Sequence, residues 1–233
     1  LDRHVLTREL IAAGGIDAMV ARDAPDIRLL TEAERAASVR ATLAAGPDTP
    51  VWLFGYGSLI WNPTVHFVEQ RAARIQGWHR RFCLSTRAGR GTLENPGLVL
   101  GLDQGGLCEG VAFRLADETV EAELTLLWRR EMLSNAYVPT WVDLLDPAGG
   151  CFGQAVTFTI NRDGPHYAGD LTLIEVVQRL ATASGALGSA ADYLFRTCEG
   201  LRAFGIPDAE LERLAEAVAV AQREAGGPGP KDV

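Results

Sequence analysis

At 233 residues, 47% hydrophobic and 22% charged, the chain has enough apolar material for one substantial core and a modest extension. Its apolar runs fall short of the roughly 18 to 20 residues a membrane span requires, and Leu1-Asp2-Arg3-His4 lacks the apolar core of a secretory signal, so a cytosolic protein without membrane contact is expected. The formal charge of −8 argues against general nucleic-acid binding, and Lys231, the single lysine, leaves no place for Schiff-base chemistry or a P-loop.

Residues 1–48 read as a helical extension. Thr31 and Glu34 have the spacing of a capping box ahead of an Ala-rich run that stops at Gly46-Pro47. From Val51 the pattern changes to short β-type runs broken by glycine, at 51–56, 65–76, 78–85, 98–102 and 110–115. Asp117 is placed to cap a helix over 118–132, and strands return at 137–145 and 152–160. The last third is helical, with Asp170, Ser189 and Asp208 each preceding an apolar-periodic run, and 226–233 reads as a flexible Gly/Pro tail. The fold class is therefore α+β, with one catalytic domain over 49–225.

Cys83, Cys108, Cys151 and Cys198 are far apart, which predicts buried free thiols rather than a disulfide framework. His4, His66, His79 and His166 stand singly, so no metal site is expected.

Three features carry chemistry. The first is Gly55-Tyr56-Gly57-Ser58-Leu59-Ile60, where two glycines after a short strand permit a sharp turn that gathers backbone N–H groups into an anion nest, or a plain β-turn. It is not a dinucleotide fingerprint, because Ile60 stands where the third glycine belongs. The second is Glu131. At about 100° per residue it shares a helix face with Val120, Leu124, Leu127 and Trp128, so its carboxyl is set in apolar surroundings that raise its pKa. Such a group can shuttle protons, or it can simply pair with Arg129 or Arg130. The third is a run of arginines, Arg71, Arg74, Arg80, Arg81, Arg87 and Arg90, with Trp78 and Phe82 interleaved. A solvated face, a carboxylate-binding site and a nucleic-acid surface all fit that pattern. Tyr137 and Tyr193 either pack at the edge of the core or lend hydroxyls to a pocket.

Seven segments in order resemble the ChaC-like γ-glutamylcyclotransferases. They are 52–63 (WLFGYGSLIWNP), 77–83 (GWHRRFC), 88–92 (AGRGT), 110–115 (GVAFRL), 128–132 (WRREM), 137–141 (YVPTW) and 193–195 (YLF). The resemblance implies a γ-glutamylcyclotransferase-like mixed β-barrel with surrounding helices and conversion of glutathione to 5-oxoproline and cysteinylglycine, without a cofactor. It further implies that Glu131 transfers the proton, and that Gly55 to Ile60, Arg90, Tyr137 and Tyr193 bind the substrate. Other γ-glutamyl peptides or amines, or a non-catalytic role in cation transport, are the alternatives. The chain departs from many relatives at Leu93 and Leu98, where proline and arginine are common, which bears on substrate preference.

Overall fold

Three helices, α1 (Arg8–Ala12), α2 (Gly15–Asp23) and α3 (Glu32–Ala45), precede the sheet in the computed structural model, which describes residues 6–47 and 50–225. The tail expected at 226–233, with Lys231, lies outside the described residues, as does His4. The capping box forms as its spacing predicts: the Thr31 side chain accepts from the Glu34 amide, and the Glu34 carboxylate accepts from the Thr31 amide at 2.8 Å.

The sheet consists of β1 (Trp52–Gly55), β2 (Glu69–Thr86), β3 (Gly97–Arg114), β4 (Tyr137–Leu145) and β5 (Cys151–Ile160); α4 (Ser58–Trp61) follows β1, and α5 (Val120–Glu131) follows β3. Strand order β1-β3-β2-β4-β5 closes into a barrel, because β1 pairs antiparallel with β3 and parallel with β5. The expected mixed barrel is thus present. Its strands are longer than their sequence suggests, since 65–76 and 78–85 belong to one strand that starts at Glu69, and 98–102 and 110–115 to another. Gly77 looks like a break but is a bulge: at φ +85° it absorbs the register shift between Gln76 and Trp78 without ending the ladder.

α6 (Leu173–Thr182), a small ribbon of β6 (Ser184–Gly185) and β7 (Gly188–Ser189), α7 (Ala190–Ala203) and α8 (Ala209–Ala225) complete the described chain. Two caps differ from expectation. Asp117 lies inside a 3₁₀ turn, Asp117–Thr119, rather than ahead of the helix. Thr172, not Asp170, caps α6, because Glu175 three residues on completes a capping box that Asp170 is too distant to make. Ser189 and Asp208 accept from amides of the helices they precede, as predicted.

The core fills the barrel and the space beneath α5. Trp128, Phe54, Phe113 and Phe158 are fully buried, and Trp128 meets Phe158 edge-on with ring centroids 5.1 Å apart. Each such side chain stabilises the fold by about 1.5–3 kcal/mol. α3 locks onto the end of α5: the Ser38 hydroxyl accepts from Trp128 Nε1 at 3.0 Å, and buried Arg35 donates to the Met132 carbonyl, next to Glu131. Cys83, Cys108 and Cys198 are buried free thiols, but Cys151 is exposed because it opens β5 beside the turn.

Of the three readings of the arginine run, a uniformly solvated face fails, since Arg80 and Arg90 are buried and the other four are partly covered. The Arg71 guanidinium sits 3.5 Å from the centre of the Phe152 ring, and Arg74 pairs with Glu109 at 2.7 Å. Buried Arg80 donates to the Tyr56 carbonyl and pairs with Asp208. Arg81, Arg87 and Arg90 pair with Asp103, Asp26 and Asp192. These acids come from other parts of the chain, so the run of like charge along the sequence is balanced across space.

Candidate active site

The Gly55–Ile60 segment leaves the barrel at the end of β1. Leu59 and Ile60 are buried packing residues; a side chain at Gly55 would press on Leu59 and Phe113, and Ile60 backs against Gly200. Tyr56 is buried with its hydroxyl donating to the Phe158 carbonyl at 2.8 Å. Gly57 and Ser58 are the members that face the chemistry. A Cβ on Gly57 would lie 2.7 Å from the Tyr193 hydroxyl, so glycine is what lets the turn come this close to that tyrosine. Ser58 lines a cavity of about 220 Å³.

Glu131 opens into the same cavity from the last turn of α5. Its side chain is 15% exposed and its Oε1 accepts from Arg130 Nε at 2.9 Å. Burial pushes its carboxyl above the ordinary carboxylate range, and wins over the Arg130 charge and hydrogen bond that pull it down. The two readings of Glu131 therefore coexist in one residue: it is paired with Arg130, and burial still leaves its carboxyl with a raised proton affinity.

Arg130 in turn spans the opening of the Gly57 turn, donating to the Asn62 carbonyl at 2.5 Å, the Thr64 hydroxyl at 2.8 Å and the Ser58 hydroxyl at 2.9 Å. Sequence reasoning gave it only the role of a partner. Nothing local distinguishes it from Arg129, which faces away to Glu32.

Tyr137, Tyr193 and Arg90 also line the cavity. The Tyr137 hydroxyl donates to the Leu100 carbonyl at 2.7 Å. Burial and nearby charge raise both phenols, Tyr137 well above its usual value; hydrogen bonds from the Ser58 and Leu100 backbone and the Ser58 hydroxyl partly offset this for Tyr193. Both stay protonated at neutral pH, and so remain donors. Arg90 is buried between Asp192, at 3.2 Å, and the Tyr193 ring; desolvation lowers its pKa, but a guanidinium retains its charge. Of the predicted site residues, Ser58, Arg90, Glu131, Tyr137 and Tyr193 share one cavity, while Gly55, Tyr56, Leu59 and Ile60 shape it from behind.

The opposite wall comes from the N-terminal segment, through Leu6, Ile16, Met19, Val20 and Ile27. Leu93 and Leu98 do not line it: Leu93 is exposed in a loop and Leu98 is buried in β3. Among the described residues no three of His, Cys, Asp and Glu gather as metal ligands, and no helix is long and apolar enough to cross a membrane.

Comparison with known proteins shows the family and the fold. A glutathione-specific gamma-glutamylcyclotransferase of Escherichia coli (strain K12) is 44% identical over 216 residues, covering 92% of each chain. Glutathione-specific gamma-glutamylcyclotransferase 1 of Danio rerio is 32% identical over 164 residues, covering 69% of this chain and 83% of its own. The crystal structure of a yeast gamma-glutamyl cyclotransferase specific to glutathione superposes with a TM-score of 0.69 at 22% identity, covering 76% of this chain and 98% of that one, which establishes the fold. The family model described as ChaC-like protein matches residues 51–221, from β1 through most of α8, and with that span the chain belongs to the ChaC-like family, as its seven ordered segments led one to expect.

Proposed function

We propose that the chain is a glutathione-specific γ-glutamylcyclotransferase, and the observation that carries the reading is Glu131: a buried carboxyl of raised pKa opening into a cavity with Ser58, Arg90, Tyr137 and Tyr193. The 44% identity to the E. coli enzyme supports the same activity.

In this reading the γ-glutamyl unit enters with its α-carboxylate at the Gly57-Ser58 turn, in the field of Arg90, and its α-ammonium at Glu131. Glu131 accepts a proton from the ammonium. The freed amine attacks the γ-carbonyl carbon of its own side chain, forming the C–N bond of a five-membered ring. The oxyanion that develops takes a hydrogen bond from the protonated Tyr193 hydroxyl, while Tyr137, whose proton is committed to the Leu100 carbonyl, holds the wall beside it. Collapse breaks the amide bond to cysteine. The attacking nitrogen sheds two protons and the leaving nitrogen gains two, so a single carboxyl relaying protons between the two closes the balance without water. Holding amine and carbonyl in reacting geometry supplies the remainder.

Gly55, Tyr56, Leu59 and Ile60 are proposed to support the binding turn rather than touch the substrate. We assign 49–225 as the catalytic domain and 1–48 as an extension, whose described residues 6–47 form a helical layer that walls its pocket. A cytosolic setting suits the substrate, since reduced glutathione is held there and keeps thiols such as Cys83, Cys108 and Cys198 reduced. Purified protein incubated with glutathione is expected to release 5-oxoproline and cysteinylglycine in equal amounts. Release of neither from glutathione, alongside turnover of another γ-glutamyl peptide or amine, would reassign the substrate.

A further inference from the structure

The chamber around Glu131 adjoins a second, outer cavity of about 640 Å³, and Ile27, Ser85, Ser134, Ala136 and His166 line both. Their chemistry differs. The inner chamber carries the groups assigned above to the γ-glutamyl unit and an apolar wall. The outer cavity is lined by Arg28 and Arg87, with Asp26 as its acid.

Arg87 is the better held of the two cations. Its side chain is 21% exposed, whereas Arg28 is 67% exposed and bound to Glu34 at 2.5 Å. Arg87 Nη2 meets Asp26 Oδ2 at 2.8 Å, but Asp26 is itself 63% exposed, a weakly held counter-ion that a ligand carboxylate can share or displace. The turn is fixed from within: the Thr86 hydroxyl donates to the Ala88 carbonyl at 2.6 Å and accepts from the Ala88 amide at 3.3 Å. As a result one short segment directs Arg90 into the inner chamber and Arg87 into the outer one.

Glutathione carries a carboxylate at each end, one on the γ-glutamyl α-carbon and one on the terminal glycine. With the first held at the Gly57-Ser58 turn and the α-amine at Glu131, a dipeptide arm directed along the wall shared at Ile27 and Ala136 reaches the outer cavity. Resting on the cyclotransferase reading, we infer that Arg87 is a specificity-determining residue that binds the C-terminal carboxylate of the peptide in the outer cavity. Arginine suits the task, since its planar fork matches a carboxylate with two parallel hydrogen bonds. The N-terminal layer takes part in this recognition: Asp26, Ile27 and Arg28 follow α2, outside the 51–221 span of the family model. On this view the layer completes a tripeptide-length site.

The test compares glutathione with its glycine carboxamide, following 5-oxoproline formation by wild type, Arg87→Met and Arg87→Lys. Wild type is expected to show a KM about 10- to 100-fold lower for the acid, the scale of one charge-assisted contact. Arg87→Met should erase that preference by raising KM for glutathione and not for the carboxamide, and Arg87→Lys should restore part of it. Wild type that turns over both with equal kcat/KM would overturn the inference even if no variant folded, as would an Arg87→Met that raises both KM values alike. Wild type that consumes neither peptide would instead remove the cyclotransferase reading.

Discussion

Arg130 Nε lies 2.9 Å from Glu131 Oε1, with the two side chains 4% and 15% exposed. Adjacent residues on a helix point about 100° apart and ordinarily do not meet. Here they do because α5 ends at Glu131, with Met132 already off the helix at φ −101°, ψ 52°, and a long guanidinium arm reaches back across the helix end. The pair favours the ionised carboxyl while burial favours the protonated one, and burial is the larger of the two effects.

Replacing Arg130 with methionine tests that balance. The arginine favours the ionised carboxyl, so its loss should raise the Glu131 pKa further and move the acidic limb of kcat/KM to higher pH than in wild type. The change also removes the bonds to Ser58, Asn62 and Thr64, and breaking a buried pair costs about 3–5 kcal/mol. A limb that stays in place or moves to lower pH would show that Arg130 does not set the proton affinity of Glu131.

Arg8 ties α1 to α5 and to the loop that follows α4. It grips both carboxylate oxygens of buried Glu123, at 2.6 and 2.9 Å, and donates to the Thr64 carbonyl at 2.7 Å, one residue position shared with the Arg130 network. Burial raises the Glu123 pKa, but hydrogen bonds from Arg8 and the His66 amide outweigh it and leave the net shift downward. A depressed carboxylate contributes stability that is present above its unfolded pKa and lost as pH falls through its folded one. Arg8→Met should therefore lower Tm at neutral pH by the equivalent of roughly 2 kcal/mol, with the deficit shrinking in acid. It should also raise KM, because Leu6, Ile16 and Met19 on this layer wall the cavity. Unchanged KM with a lower Tm would make the layer structural only.

Much of the site was legible because its signals are local. Glu131 stands out through the spacing of Leu124, Leu127 and Trp128, and Gly57 through its place in an ordered family motif. What the sequence hides is pairing between distant residues. Arg71 to Arg90 look like a basic strip until Asp26, Asp103, Asp192 and Asp208 arrive from elsewhere in the chain. Gly77 marks a bulge or a strand end with equal force in sequence, and only the long pairing of β2 with β3 decides which. Residues 1–48 show helices but no partner in sequence, and what holds the layer against the domain is contacts such as Arg35 to Met132, 97 residues apart.

Gly57→Ala should cost more in substrate affinity than Ser58→Ala. The added Cβ would stand 2.7 Å from the Tyr193 hydroxyl, so either the tyrosine or the turn must move, and the proposed binding mode uses both. Removing the Ser58 hydroxyl takes one contact from Arg130, which keeps the Asn62 and Thr64 oxygens, and one from Tyr193, which keeps its hydrogen bonds from the Ser58 and Leu100 backbone. Glutathione binding to each variant, measured calorimetrically beside wild type, gives the order. Normal affinity in a folded Gly57→Ala protein would take the turn out of the binding site.

Glu131→Gln separates proton transfer from packing. Glutamine keeps the shape, and its amide oxygen can still accept from Arg130 Nε, while Ser58, Asn62 and Thr64 go on satisfying the other guanidinium nitrogens. Folding and glutathione binding should largely survive. An amide does not cycle a proton at neutral pH, so turnover should fall by at least about 10²-fold, the usual scale of general acid–base catalysis. The pH dependence of stability adds an independent check. A carboxyl whose folded pKa is raised contributes stability that is fully present below its unfolded pKa and lost as pH rises through the folded one. Glutamine carries no such dependence, so the Tm advantage of wild type over the variant should be largest in acid and shrink toward neutral pH. A variant that melts like wild type at every pH would mean that Glu131 is not desolvated, and one that is well folded with near-normal 5-oxoproline formation would mean that another group moves the proton.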